Sequence, residues 1–330
     1  MTQFTTRGLF LSLTLIASAV SAADDAPAEP VRQERADAWW TGPLLAPNAS
    51  TFPAGHALVE TYVFDVNDNG QYDRSGRHEP AAGGHELGSL TYLIYGLTDR
   101  VSVGLLPRFF YDEPAGVRNS SSPGVGDLGA QLQVGLTSFH EGSWVPATAV
   151  VVGATLPTGR YDRLTNPADG FGAGVYGASL SWYSQDFLWL PNGRILRVRL
   201  DLTYAISSSA SIADQSVYGS AVGFRGHAHP GDSFTADAAA EYSLTRNWVL
   251  ATDLVWVHNS STRLTGGGPA AGGPAFTDTQ SGSSEYRAVA PAVEYNFSSR
   301  VGVIVGARIF VAGRNTGSSV TTAAAINMVF

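Results

Sequence analysis

Twelve strand-length segments run along the chain from residue 55, and the stretches that join them alternate between short and long. The segments lie near 55–66, 85–97, 101–111, 125–138, 145–156, 172–184, 194–206, 234–244, 248–258, 284–297, 301–312 and 318–330. Short connections follow Leu97, Ser138, Ser184, Leu244 and Phe297. Long ones fill 67–84, 112–124, 157–171, 207–233 and 259–283, and the last, 313–317, is shorter. A soluble sandwich has no reason to segregate its loop lengths in this way. An even strand count with tight turns at one end and longer loops at the other is the plan of an outer-membrane barrel, with the turns periplasmic and the loops outside. Residues 216–225 read as a possible extension of a strand beyond the bilayer, with the register open.

One turn recipe recurs. Tyr95-Gly-Leu-Thr-Asp-Arg-Val101 matches Tyr242-Ser-Leu-Thr-Arg-Asn-Trp248 and Tyr295-Asn-Phe-Ser-Ser-Arg-Val301 in the spacing of its aromatic, hydroxyl and terminal apolar residues. Three copies of one strand–turn–strand text predict one hairpin geometry repeated along a sheet. Tyr95, Tyr242, Trp248 and Tyr295 then fall at one membrane interface, where aromatic rings collect.

Within the segments, side chains alternate at period two, so each strand has one apolar face and one polar or small face. Leu196, Val198, Leu200 and Leu202 oppose Arg197, Arg199, Asp201 and Thr203. Leu128, Ala130, Leu132 and Val134 oppose Asp127, Gly129, Gln131 and Gln133. A soluble barrel would turn the apolar face inward and a membrane barrel would turn it outward. The two ends of the chain decide between them. Arg7, the apolar run from Leu9 to Ala19 and the small residues Val20-Ser21-Ala22 read as a secretory signal over residues 1–22. The final residues alternate back from Phe330 through Met328, Ile326 and Ala324. A terminal aromatic on such a strand resembles the signal by which outer-membrane barrels are recognised for assembly, although Thr322 stands where a second aromatic is usual. Lipid tolerates no open sheet edge, so the last strand must close on the first.

The expected fold is therefore all-β: a closed antiparallel transmembrane β-barrel of about twelve strands, residues 54–330, in the outer membrane of a Gram-negative cell. Residues 23–53 are rich in Pro and Ala and lack a usable period, so they form a periplasmic leader or a lid at the barrel mouth. Their Trp39-Trp40 pair docks at the mouth, sits at the membrane interface, or covers a local apolar patch. The chain has no cysteine, so disulfides play no part, and its net charge of −8 argues against nucleic acid as a partner. The surroundings implied are outer-membrane lipid and lipopolysaccharide, the barrel-assembly machinery, and a small-molecule solute.

The inward face carries Glu60, Arg108, Asp127, Arg197, Arg199, Asp201, Asp237, Glu241, Asp253, Glu294 and Arg308. These residues either fill the lumen with a ladder of salt bridges or select what passes. Gly129, Gly135, Gly302 and Gly306 leave room among them. Asp65, Asn67, Asn69 and Asp73, with Gly70, imitate part of a calcium-binding loop, but Gly76 occupies the position of the bidentate Glu. His227, His229 and His258 are the remaining metal candidates. No Gly-x-Ser-x-Gly elbow supports a hydrolase.

The stretches YGLTDRVSVGLLP (residues 95–107), GVGDLGAQL (124–132) and LPTGRYD (156–162) resemble the outer-membrane family described as "putative MetA pathway of phenol degradation". The resemblance spans roughly residues 55–330. It implies a β-barrel that passes hydrophobic or aromatic compounds, and it carries no catalytic residues. The function expected is a passive channel for a small hydrophobic or aromatic solute. The alternatives are a plugged barrel with a structural or adhesion role and, further off, an outer-membrane hydrolase.

Overall fold

Twelve strands pair antiparallel with their sequence neighbours, and the twelfth pairs with the first to close a barrel. The computed structural model describes residues 31–81, 83–268 and 276–330; the expected signal segment lies outside them. The strands are β1 (Ala57–Tyr72), β2 (His85–Thr98), β3 (Val101–Leu106 continued by Arg108–Glu113) and β4 (Gly124–Val125 continued by Leu128–Thr137). They continue as β5 (Ala147–Leu156), β6 (Gly177–Trp189), β7 (Ile195–Ser207) and β8 (Ser233–Ser243). The last four are β9 (Trp248–Asn259), β10 (Ser284–Asn296), β11 (Val301–Arg314) and β12 (Thr316–Val329). Closure runs from Leu58 opposite Val329 to Tyr72 opposite Thr316, and Phe330 adds a further pair of backbone hydrogen bonds with Ala57.

The faces are those of a membrane barrel. Leu200, Leu254, Val293 and Val305 stand exposed on the outside, while Arg197, Glu241, Asp253 and Glu294 are buried within. In water this arrangement would leave a continuous apolar belt unpaired with anything. In lipid it satisfies every backbone group through the closed ladder and leaves the belt against hydrocarbon.

One stretch of wall is irregular. Leu106 of β3 faces Gly129 of β4, and Phe109 faces Val125, so three residues of β4 stand opposite Pro107 and Arg108. Pro107 has no N–H to give to the ladder, which is where a bulge costs least. The bulge turns Asp127 toward the outer loop, where it accepts the N–H of Gly159 at 2.9 Å and of Ala173 at 2.7 Å.

Two long outer connections are not loops throughout. Segments Ala210–Ala213, Arg225–His229, Arg263–Gly267 and Thr277–Gln280 pair into a second, four-stranded sheet beyond the barrel rim. Its own small core is Val175, Ala210, Ile212, Phe224 and Ala228. Residues 216–224 form the turn between two of its strands, so the barrel strand does not continue through them.

Candidate functional site

Residues 33–54 thread the lumen. They enter beside two periplasmic turns, where the Gln33 N–H donates to Gly193 O at 2.9 Å and the Trp39 N–H to Arg246 O at 3.0 Å. They rise to an apex at Leu44–Ala46, then descend to a third turn, where the Thr51 hydroxyl donates to Asp99 O at 2.7 Å. The Pro-rich composition suits this path, because an extended strap with few N–H groups needs few partners. The described part of the segment expected as a leader or lid thus runs as a strap inside the barrel. Trp39 and Trp40 ride with it, and the Arg197 guanidinium lies 4.7 Å from the centre of the Trp40 ring.

Charged side chains on one half of the wall hold the strap. The Asp253 carboxylate accepts three consecutive backbone N–H groups: Leu44 at 3.1 Å, Leu45 at 3.3 Å and Ala46 at 2.9 Å. Arg199 Nη1 donates to Ala46 O at 2.6 Å. Glu294 accepts the Thr41 N–H at 2.6 Å, and Asn296 Nδ2 donates to Trp39 O at 3.1 Å. Across the lumen, Gln133 Nε2 reaches Asn48 O at 3.0 Å and Ala49 O at 3.2 Å, and Ser102 Oγ accepts the Phe52 N–H at 3.0 Å. Glu241 does not touch the strap. It pairs with Arg197 through a 2.6 Å bond from Nε and with Arg199 at 3.1 Å, which keeps both buried guanidiniums compensated.

The lumen glycines do not leave the space expected of them. Thr41 packs where a side chain at Gly302 would stand, and Thr51 lies against Gly135. Gly96 allows the carbonyls of Phe52 and Pro53 to pass directly over β2.

The other half of the lumen stays open. A cavity of about 560 Å³ lies between the strap and strands β1, β2, β3, β4, β11 and β12. Leu44, Leu58, Leu90, Ile94 and Leu106 line it with the rings of Tyr62, Phe64, Tyr92 and Phe110. Tyr62 and Tyr92 meet edge to face at 6.1 Å, as do Phe64 and Phe110 at 6.2 Å. Phe171, from an outer loop, stacks on Phe110 at 6.0 Å. The charged lining is Glu60, Glu86, Arg108, Arg199 and Arg308.

Ten of the eleven lumen residues read from the sequence lie on the inner wall, in four groups, and Asp127 stands apart at the rim. Glu60, Arg108 and Arg308 line the cavity. Asp253, Glu294 and Arg199 hold the strap, and Arg197 and Glu241 form the buried pair beneath it. Asp201 and Asp237 face each other across β7 and β8, both buried. Asp127 anchors an outer loop. Tyr95, Trp248 and Tyr295 point outward beside periplasmic turns, with Trp248 and Tyr295 4.8 Å apart, and Tyr242 accepts a hydrogen bond from Asn192 at 2.8 Å.

The calcium-like stretch is mostly strand. Asp65, Asn67 and Asn69 belong to the upper end of β1, and the strand's ladder spreads their side chains along its length instead of wrapping them around an ion. Asp65 is 3.0 Å from His85 Nδ1, and Asp73 caps the turn that follows. Among the described residues no three His, Asp or Glu side chains are placed to hold a metal, His227, His229 and His258 included.

The strap's backbone and the cavity's rings carried a weaker sequence signal than the charges did. One sign was available: the inward face of β1 reads Leu58, Glu60, Tyr62, Phe64, Val66, mostly apolar where a pore lining should be polar.

A closed twelve-stranded barrel, apolar outside and strapped within by its own N-terminal segment, belongs to the class of outer-membrane β-barrels. The chain is a member of the family described as "Putative MetA-pathway of phenol degradation", whose model matches residues 48–326. Among solved structures it is similar to the COG4313 outer membrane channel from Pseudomonas putida F1, at 16% identity and a TM-score of 0.66, over 87% of this chain and 100% of that one. It is also similar to the beta domain of the Bordetella autotransporter BrkA, at 13% identity and a TM-score of 0.46, over 84% of this chain and 100% of the other. A third is a TodX monoaromatic hydrocarbon channel, at 10% identity and a TM-score of 0.38, over 89% and 94%. The first likeness concerns the fold, and the other two scores are too low to carry an argument. No curated protein matches the chain.

Proposed function

We propose that this protein is a Gram-negative outer-membrane channel for a small hydrophobic or aromatic solute. The observation that carries this reading is the division of the lumen: Asp253, Glu294 and Gln133 are committed to the strap, and the open half is walled largely by aliphatic and aromatic side chains, with a few charged groups set among them. A hydrophilic pore would line its free space mainly with polar and charged groups. Burial against such a wall is worth roughly 25 cal/mol per Å² of apolar surface, which favours entry of an apolar guest over an ion. The family's description, which names phenol degradation, agrees with an aromatic solute.

Growth of a deletion strain on hydrophobic and aromatic carbon sources, compared with its parent, tests the reading directly. The expected result is slower growth at low substrate concentration, restored by the wild-type gene. Equal growth on every source would sink the proposal. The strap also supports a second reading, a permanently plugged barrel with a structural or adhesion role. That reading predicts no solute flux into proteoliposomes under any condition. An esterase assay on the purified barrel is expected to stay blank.

A further inference from the structure

The charges of the open cavity are not balanced in the way those of the strap are. Arg197 and Arg199 share Glu241. Arg108 and Arg308 line the cavity, and no carboxylate among the described residues lies within salt-bridge distance of either. Arg308 Nη2 donates to Thr321 Oγ1 at 3.2 Å, but its buried Nε has no partner. Its guanidinium lies 5.2 Å from the centre of the Phe310 ring, which stacks on Tyr286 at 4.2 Å. Arg108 stands directly opposite Leu90 on β2, beside the Phe64–Phe110 pair.

Two carboxyl groups, Glu60 and Glu86, share the same cavity. Glu60 is already engaged, accepting the Tyr62 hydroxyl at 3.3 Å. An unpaired carboxylate in apolar surroundings can also neutralise itself by taking a proton. A guanidinium has no such escape, because it stays charged at any pH a protein survives. The fixed charges of the cavity that lack a carboxylate partner are therefore Arg108 and Arg308, since Arg199 is paired with Glu241. Each has free N–H groups in a space whose wall includes Leu90, Tyr92, Ile94, Phe64 and Phe110. A guanidinium in such a setting calls for an acceptor that brings its own negative charge, and planar two-oxygen groups fit its fork.

We infer that the open half of the lumen selects apolar molecules that bear one negative charge, aryl or alkyl carboxylates, with Arg108 and Arg308 as the charge-binding residues and the rings as the wall for the apolar body. This rests on the channel reading above and narrows its solute class.

The test uses the mature full-length barrel in lipid nanodiscs and three probes of matched shape: 4-butylbenzoate, 4-butylbenzyl alcohol and 4-butylbenzylamine. Binding is followed by calorimetry, and empty nanodiscs give the partition background. The carboxylate is expected to bind about tenfold more tightly than the alcohol, the scale of one charge-assisted hydrogen bond. The amine is expected to bind more weakly than either. Arg308→Gln and Arg108→Gln should each lower carboxylate affinity several-fold and leave the alcohol unchanged. Arg308→Lys, which keeps the charge, should retain most of the preference. Heat-modifiable migration on gels shows whether each variant is a folded barrel, and Arg308→Lys stands in should Arg308→Gln fail that check. Equal binding of acid and alcohol overturns this inference while leaving the hydrophobic-solute channel intact. Tighter binding of the amine overturns it in favour of Glu60 and Glu86. If none of the three binds, both readings fall together.

Discussion

The Asp253 carboxylate of β9 accepts the backbone N–H of Ala46, the apex of the lumen strap, at 2.9 Å, and the N–H groups of Leu44 and Leu45 beside it. One side chain thus holds three donors that have no other partner in the barrel. Hydrogen bonds to a charged acceptor are worth about 1.5–3 kcal/mol each, and the three share one carboxylate, so they rise and fall together. Asp253→Ala should free the apex and raise single-channel open probability in planar bilayers by at least about tenfold. Unchanged traces would mean that the strap is held from its two ends.

The descending limb of the strap gives an independent handle. A side chain at Gly96 would overlap the carbonyls of Phe52 and Pro53, which are backbone atoms and cannot swing aside. Gly96→Ala should therefore push the limb off β2, lowering the gel-shift temperature of the barrel, since overpacking costs about 1–3 kcal/mol. Conductance should rise as well. Gly317→Ala, where an added methyl meets nothing, is the control and should behave as wild type.

The barrel was legible because period-two alternation and turn chemistry repeat along its whole length, and most observed strands fall within a few residues of the expected ones; β6 runs to Trp189, past the turn expected after Ser184. The exceptions are physical. Residues 67–72 look like a loop by composition, yet the ladder with β12 holds them in β1. The strands of the outer sheet, such as Ala210–Ala213, are too short to show a period and exist through pairing with distant segments. The strap shows no pattern because its partners are backbone N–H and C=O groups, which every residue but proline carries alike. The charged inner face of β7 to β10 was visible as charge. That it holds a chain segment instead of lining a pore follows from Asp253, Arg199 and Glu294 each meeting backbone, which only three dimensions reveal.

Acid should open the first outer turn. Asp73 Oδ1 accepts from the Ser75 hydroxyl and N–H, both at 2.7 Å, and from the Arg77 N–H at 2.9 Å. The Ser75 hydroxyl first, then the backbone N–H groups, hold its carboxyl below the ordinary carboxylate value. A depressed folded value means that the stabilisation is fully present above the usual pKa of about 3.9 and disappears as pH falls through the lower one. Amide exchange at Ser75 and Arg77 should therefore be slow at about pH 5 and accelerate, beyond its intrinsic pH dependence, only once the pH has fallen below the ordinary carboxylate value. In Asp73→Ala the protection should be missing at both, and trypsin should cut after Arg74 or Arg77 at neutral pH.

The outer sheet should be separable from the barrel. Phe224 is the largest side chain of its core and touches no residue of the barrel core clusters. Removing a buried aromatic costs about 3–5 kcal/mol, enough to dissolve a sheet of four short strands. Phe224→Ala should expose residues 208–232 to proteolysis while leaving the heat-modifiable migration of the barrel unchanged. A shift in that migration would show that the cap and the barrel fold as one unit.

Glu241 supports the strap without touching it. It is fully buried and compensates both Arg197 and Arg199, which are themselves buried. Glu241→Gln would leave two guanidiniums facing each other across neighbouring pleats, and breaking a buried pair by removing one partner costs about 3–5 kcal/mol. The variant should lose its heat-resistant gel migration at a lower temperature than wild type. Replacing the nearer cation as well, in Glu241→Gln with Arg197→Met, should recover part of the loss, because the methionine removes one stranded charge while keeping the volume against Trp40. Full stability in the single variant would show that water reaches this part of the lumen, and with it a continuous path past the strap.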